Sequence, residues 1–271
     1  INYMSKKPLV SILIASFNKE MYVKRCIESC LSQSYKKIEI IFYDDGSKDN
    51  SLKIAKKYKK IKVLSNKKNK SFSKFNTYPQ INSYCEAFKK SKGKIITFLD
   101  SDDFYKKNKV IEIVKYFNNK KKSTIVFDKP IFFFTKDKIT EPFKKHTKSI
   151  NKNIWPKFPP QSCISIKRSF FKKYIKDIKN KKFSMLALDF RLAVLAKTIL
   201  KDFFIINKNL TYYFQDVDGE SFTKFKKFGF NWWIRRGQAH SYIKYISNKY
   251  KVTYNVNLDY LITKFISSLL R

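Results

Sequence analysis

Apolar and polar residues alternate in blocks along the first half of the chain, and the blocks read as strand, helix, strand, helix. The run "PLVSILIAS" (8–16) is apolar almost throughout, as in a strand buried on both faces of a parallel sheet. Asn18 then stands where it can cap a helix whose positions Val23, Cys26, Ile27, Cys30 and Leu31 follow the i, i+3, i+4, i+7, i+8 spacing of one face. "IEIIFYD" (38–44) predicts a second strand, "SLKIAKKY" (51–58) a helix, "IKVLS" (61–65) a third strand, residues 80–91 another helix, and "KIITFL" (94–99) a fourth strand. Such alternation predicts βαβ units and a doubly wound sheet. "FYKKNKVIEIVKYF" follows, with Asp103 either its helix cap or part of a site. Further on, residues 185–200, 228–250 and 257–270 read as helices, and 209–225 as a strand and loop.

Composition narrows the class. With 271 residues and 43% hydrophobic content, the chain can bury the core of one large α/β domain or of a domain with a helical extension. Cys26, Cys30, Cys85 and Cys163 match no paired metal-ligand spacing and are read as reduced core thiols of a cytosolic protein. No stretch approaches the roughly 18 apolar residues of a membrane span, and no signal-peptide pattern opens the chain, so a soluble or peripheral protein is expected. Met4, behind Ile1, is a candidate start.

The formal charge is +38, from 59 Lys and Arg against 21 Asp and Glu. Nucleic-acid binding is the obvious inference. However, arginine, the residue suited to reading bases and gripping phosphate, occurs only at 25, 168, 191, 235, 236 and 271. The remaining surplus is lysine scattered over the predicted helices with much Asn and Ile, the mark of an AT-rich coding sequence. Attraction to an anionic membrane is the second reading, and nucleic acid is not expected as a partner.

Against this background the acidic residues are placed selectively. In a doubly wound sheet the ligand lies beyond the carboxyl ends of the strands. That rule gathers Ser16-Phe17-Asn18, Asp44-Asp45-Gly46-Ser47, Ser65-Asn66 and Asp100-Ser101-Asp102-Asp103 in one crevice. The five glycines form neither GxGxxG nor a P-loop, so a glycine-cradled phosphate is excluded. Clustered carboxylates repel a diphosphate unless a divalent cation lies between them, and hard oxygen ligands favour Mn²⁺ or Mg²⁺.

The stretch from "PLVSILIASFN" to "YDDGSKDNS", followed by "GKIITFLDSDD", resembles the nucleotide-sugar-binding half of the inverting family 2 glycosyltransferases with the GT-A fold, over about residues 8–118. The resemblance implies a Rossmann-like, mostly parallel sheet flanked by helices, with a helical C-terminal extension. It implies that Ser16, Phe17 and Asn18 line the nucleoside and that Asp45, with Asp44, accepts a hydrogen bond from the base. Asp100-Ser101-Asp102 would be the DXD motif, with Asp102 on the metal and Asp100 near ribose and metal. Where many relatives carry Ala-Arg-Asn-x-Gly, this chain has "YPQINSYCEAFKKSKG", which offers Gln80 and Asn82; Asn82 is taken as a donor contact.

The second half must supply an acceptor site and a base. "MLALDFRLAVLAKTIL" (185–200) resembles the family's Glu-Asp helix start and puts Asp189 at the position of the base; a plain N-terminal cap is the alternative. "NLTYYFQDVDGESF" has Asp216 where relatives have histidine, with Gly219 and Ser221 at serine positions, and Asp216 is read as a loop carboxylate. His146 and His240 match no zinc or triad pattern. Residues 1–225 are thus expected to form the GT-A domain, with donor half about 8–118 and acceptor half about 119–225, and 226–271 a basic aromatic extension. The processive relatives' Gln-x-x-Arg-Trp is absent, which points to a non-processive enzyme. Trp232, Trp233, Arg235 and Arg236 are candidates for sugar stacking, for lipid headgroups or for ordinary packing.

The expected reaction is metal-dependent, inverting transfer of a sugar, from a UDP-sugar, to a hydroxyl of a cell-surface glycan or lipid-linked glycan, as in capsule or lipooligosaccharide synthesis. The expected location is the cytoplasm, with attachment to the inner membrane face left open. A non-catalytic nucleic-acid- or membrane-binding protein of the same fold is the alternative.

Overall fold

A computed structural model describes residues 7–66, 75–134, 139–142, 158–201, 203–215, 226–254 and 256–270, with 134 and 139–142 described by backbone alone. The predicted first half is present in order: β1 (Val10–Ser16), α1 (Glu20–Leu31), β2 (Ile38–Asp44), α2 (Ser51–Lys56), β3 (Lys62–Ser65), α3 (Tyr78–Lys89) and β4 (Ile95–Asp100). Every residue of β1 is buried, as its unbroken apolar run requires of a central strand. It pairs in parallel with β2 from Val10↔Ile38 to Ser16↔Asp44 and with β4 from Val10↔Ile95 to Ala15↔Asp100. The register therefore sets Ser16, Asp44 and Asp100 side by side at one rim.

Asn18 does not cap α1. Its backbone is left-handed (φ 51°), a conformation Asn tolerates better than most residues, and its side-chain Oδ1 accepts from the Lys48 amide at 2.8 Å. The free amides at the start of α1 are met from the α2 approach: Lys19 N–H donates to Ser51 Oγ and Glu20 N–H to Asp49 Oδ2. Asp49 is thus a cap supplied from another segment. Asp103 is no helix cap either. After it come the short β5 (Phe104–Tyr105) and then α4 (Lys109–Asn119).

The second half adds β6 (Ile125–Phe134), β7 (Ile139–Pro142), β8 (Ile164–Lys167), α5 (Arg168–Ile178), α6 (Leu188–Leu195), β9 (Ile205–Gln215), α7 (Phe230–Lys249) and α8 (Leu258–Leu269). Among the described residues the sheet runs β3-β2-β1-β4-β8-β6-β9-β5, with β7 on β6. Its donor end is parallel; β8 enters antiparallel to both β4 and β6, while β6 and β9 run parallel. One apolar layer, with Val23, Ile27, Ala55 and Ile113, packs α1, α2 and α4 on one face. The other, with Tyr84, Phe171, Phe190 and Tyr242, packs α3, α5, α6 and α7 on the opposite face. The 226–271 segment therefore contributes to the core through Tyr242 and Ile246, both 0% exposed. No helix among the described residues is long and apolar enough to cross a membrane.

A fully buried ion pair pins the second half behind β4. Lys109 Nζ lies 2.7 Å from Asp128 Oδ1 and donates to Ser162 O and Thr211 Oγ1. The ammonium also lies 4.1 Å from the Tyr105 ring centre. Removing one partner strands the other charge in the core, so Lys109→Met is expected to cost about 3–5 kcal/mol. Thermal or denaturant unfolding measures it, and adding Asp128→Asn should restore part of the loss.

Candidate active site

The site begins where β4 leaves the sheet. Asp100 Oδ1 accepts from Gln80 Nε2 (2.8 Å), Tyr84 OH (2.7 Å) and Gln161 Nε2 (2.8 Å), while its amide donates to Ser162 Oγ. Three donors on one oxygen fix the orientation of the carboxyl group. Enclosure by protein, and next the charge of Asp102, push its pKa up to about 7. A cation placed beside such a carboxyl group would favour its ionised form.

Asp102 is partly exposed, and its Oδ2 lies 2.7 Å from Lys19 Nζ, which crosses from the turn after β1. Asp103 is buried; its Oδ1 accepts from the Phe214 amide at 2.7 Å, which clamps β9 onto the DSDD turn, and burial raises its pKa well above the usual range. Arg25 completes the clamp. Its guanidinium sits 4.4 Å from the Phe104 ring centre and 4.8 Å from that of Phe133, and Nη2 donates to Asp102 O. Ser101 is buried, its amide bonded to Ala15 O.

At the tips of β1 and β2, Asp44 is wholly buried and its Oδ2 accepts from the amides of Gly46 and Ser47. Gly46, at φ 81°, takes the left-handed step that this turn demands. The other oxygen, Asp44 Oδ1, and the buried Ser16 Oγ have no hydrogen-bond partner among the described residues. Asp45 is half-buried, receives Asn66 Nδ2 at 3.3 Å and has its pKa raised by burial. Phe17, 49% exposed, stands at the rim.

Asp189 opens α6. Behind it the buried Arg191 donates to the carbonyls of Ile178, Asn180, Phe183 and Leu186, which fixes the loop leading into the helix. Asp189 Oδ1 accepts from the Phe190 amide at 2.6 Å. Burial raises its pKa, opposed in part by the nearby charge of Arg235 from α7. Asp189 also acts electrostatically on Asp100, and Tyr213 of β9 senses Asp103, Asp100, Asp102 and Asp189 together. Burial first, and then those four charges, push the Tyr213 phenol well up.

The structure therefore brings Ser16, Asp44, Asp45, Asp100, Ser101, Asp102 and Asp189 to one end of the sheet. Asn82 lies elsewhere on α3: Gln80 and Tyr84, four apart, share the face toward Asp100, and Asn82 is about 200° around from Gln80. Tyr84, Gln161 and Tyr213 are candidate site residues that sequence reading missed, and Arg235, named there for sugar or lipid contact or for packing, instead acts on Asp189. The i, i+4 spacing of Gln80 and Tyr84 was a usable signal; nothing local marks Gln161. Arg235 and Arg236 do not point to lipid. Arg235 acts on Asp189, and Arg236 pairs with Asp259. Asp216, Gly219, Ser221 and His146 lie outside the described residues. Among the described residues no group of three His, Cys, Asp or Glu side chains could hold a metal ion by itself.

Comparison with known proteins agrees with this architecture. The chain is 39% identical over 107 residues to an uncharacterized glycosyltransferase of Haemophilus influenzae, covering 38% of this chain and 40% of that protein. It is 30% identical over 166 residues to the Escherichia coli UDP-Glc:alpha-D-GlcNAc-diphosphoundecaprenol beta-1,3-glucosyltransferase WfaP, covering 58% of this chain and 59% of that one. The chain thus spans about two to three fifths of the length of these relatives. S. aureus TarS 1–349, in crystal structures with UDP and with UDP-GlcNAc, superposes with a TM-score of 0.60 at 16% identity, over 96% of this chain and about 70% of that one, a likeness of GT-A fold. The glycosyl transferase family 2 profile matches residues 11–175, and with more than half of its length so matched, the chain belongs to glycosyl transferase family 2.

Proposed function

We propose that the chain is a metal-dependent, inverting, non-processive glycosyltransferase that moves a sugar from a UDP-sugar to a hydroxyl of a growing cell-surface glycan of the capsule or lipooligosaccharide type, free or lipid-linked. The observation that carries this reading is that Asp100 and Asp102, from the donor half, and Asp189, from the acceptor half, lie within electrostatic reach of one another around Tyr213. The printed descriptions of relatives support the substrate classes: UDP and UDP-GlcNAc in TarS, and a UDP-Glc donor with a diphosphoundecaprenol-linked acceptor in WfaP. Four free cysteines go with a reducing, cytoplasmic location.

Ser16 Oγ and Asp44 Oδ1, both buried and without partners among the described residues, are suited to a ligand bringing its own donors, with Asp45 beside them for the base. Asp102 and Asp100 fit Mn²⁺ or Mg²⁺: the oxygens are hard, and the raised pKa of Asp100 marks a place where positive charge is wanted. One or two carboxylates plus substrate phosphates are the usual holders of Mg²⁺, so a three-residue cage is not required. Such a cation supplies charge that stabilises the departing diphosphate. Lys19, now on Asp102, is placed to turn to the diphosphate when that carboxylate is engaged. Asp189, held by the Arg191-braced loop, takes the proton of the acceptor hydroxyl as it attacks the anomeric carbon from the face opposite the leaving group.

Thermal shift with UDP-, GDP-, CMP- and dTDP-sugars, each with and without Mn²⁺, tests the donor assignment. The largest stabilisation is expected with a UDP-sugar and Mn²⁺. No nucleotide-dependent shift, together with salt-sensitive binding to DNA or RNA, would replace this reading with that of a non-catalytic nucleic-acid-binding protein of the same fold.

A further inference from the structure

Helix α8 is turned inside out. Its buried residues are the small polar Thr263 and Ser267, and it lies so close to α7 that a Cβ at Gly237 would sit 2.8 Å from Ser267 Oγ. Leu258, Leu261, Ile262, Phe265 and Leu269 are 45–72% exposed. Spaced i, i+3, i+4, i+7 and i+11, they form one outward stripe along a helix about 18 Å long. A stripe of this kind is ordinarily the buried side of a helix, and its exposure calls for an occupant.

Charge indicates which occupant. Residues 226–271 carry nine Lys and Arg and a single acidic residue, Asp259. That carboxylate, 38% exposed at the flank of α8, is paired with Arg236 at 2.5 Å and His240 at 3.2 Å, so its charge is offset by a cation where it borders the outward face. Lys264 on α8 and Lys251 in the segment between α7 and α8 are exposed, and Phe228 and Phe230, 62% and 55% exposed, follow Lys226 and Lys227. A second copy of the chain would bring its own +38 against this surface, and one short helix face is small for a stable dimer. An anionic lipid surface meets both halves of the pattern, the apolar stripe and the cations around it.

We propose that the outward face of α8 is a docking surface for anionic bilayers, with Leu261, Ile262, Phe265 and Leu269 lying in the headgroup–acyl boundary. The anchor is thus α8 and not the Trp232–Arg236 segment, whose arginines are engaged inside the protein. The inference is independent of the transfer reaction, since an inactive chain would dock equally well.

Co-sedimentation of the chain with vesicles tests it. Binding is expected to vesicles of phosphatidylcholine mixed with phosphatidylglycerol, and to fall about tenfold on phosphatidylcholine alone or at high salt. Replacing Leu261, Phe265 and Leu269 together by Ser should lower it about tenfold or more with an unchanged melting temperature, as all three are exposed. Should the triple variant melt lower, Phe265→Ser alone carries the same test. Binding that survives loss of the stripe overturns the proposal. So does a parent chain that is a dimer by size-exclusion chromatography, ignores vesicles, and becomes monomeric in the triple variant, because the occupant is then a second copy.

Discussion

Asp189→Asn is expected to slow sugar transfer about 10²–10⁴-fold while leaving UDP affinity unchanged. The amide keeps the shape of the side chain and its place at the start of α6, where Asp189 Oδ1 accepts from the Phe190 amide, but it cannot take a proton. Single-turnover transfer and UDP titration separate the two quantities. Collapse of both would reassign Asp189 to holding the helix end. The pH profile gives an independent readout. Burial raises the Asp189 pKa, so turnover should fall on the acid side as pH drops through that raised value and the base becomes protonated. Arg235 opposes the shift. Arg235→Gln should therefore raise the pKa further and move the acid limb to higher pH, a displacement that mere structural damage would not produce.

Asp102→Asn is expected to lower Mn²⁺-dependent transfer by at least about 10²-fold and to abolish the Mn²⁺-dependent part of UDP stabilisation. The side chain is partly exposed and pairs with Lys19 at the surface, so the fold should be kept, as a circular-dichroism melt would check. Lys19 makes the variant informative. If Asp102 served only to hold Lys19, the variant would release that ammonium from Asp102, and UDP binding without metal would rise while Mn²⁺ dependence persisted. Persistent Mn²⁺ dependence would remove Asp102 from the set of metal-holding residues.

The donor half was legible because its signals are local. Unbroken apolar runs such as Val10–Ser16 announce strands buried on both faces, and the carboxyl-end rule then gathers Asp44, Asp45, Asp100 and Asp102 without knowledge of any contact. What escaped depends on register or on distant pairing. Asn82 and Tyr84 differ by two positions, and only the phase of α3 decides which of them faces Asp100. Gln161 reaches Asp100 because β8 enters antiparallel to β4, an event 61 residues away in sequence. The aromatic and basic run at 230–236 left sugar stacking, lipid contact and ordinary packing open, because nothing local shows that α7 sends Tyr242 into the core and sets Arg235 within electrostatic reach of Asp189. In α8 the hydrophobic period was visible, but period alone does not tell which way a stripe faces.

The grip on Asp100 has a practical corollary for anyone recombining enzymes of this kind. Gln80 and Tyr84 hold its carboxyl group from the donor half, and Gln161, with Ser162 on its amide, holds it from the acceptor half. A chimera cut between the halves near residue 118 would import a foreign 160–163 loop and lose half of that grip wherever the donor parent's partner residues differ. Splices meant to exchange acceptor preference should therefore keep residues 158–167 with the donor parent and begin the exchange at α5.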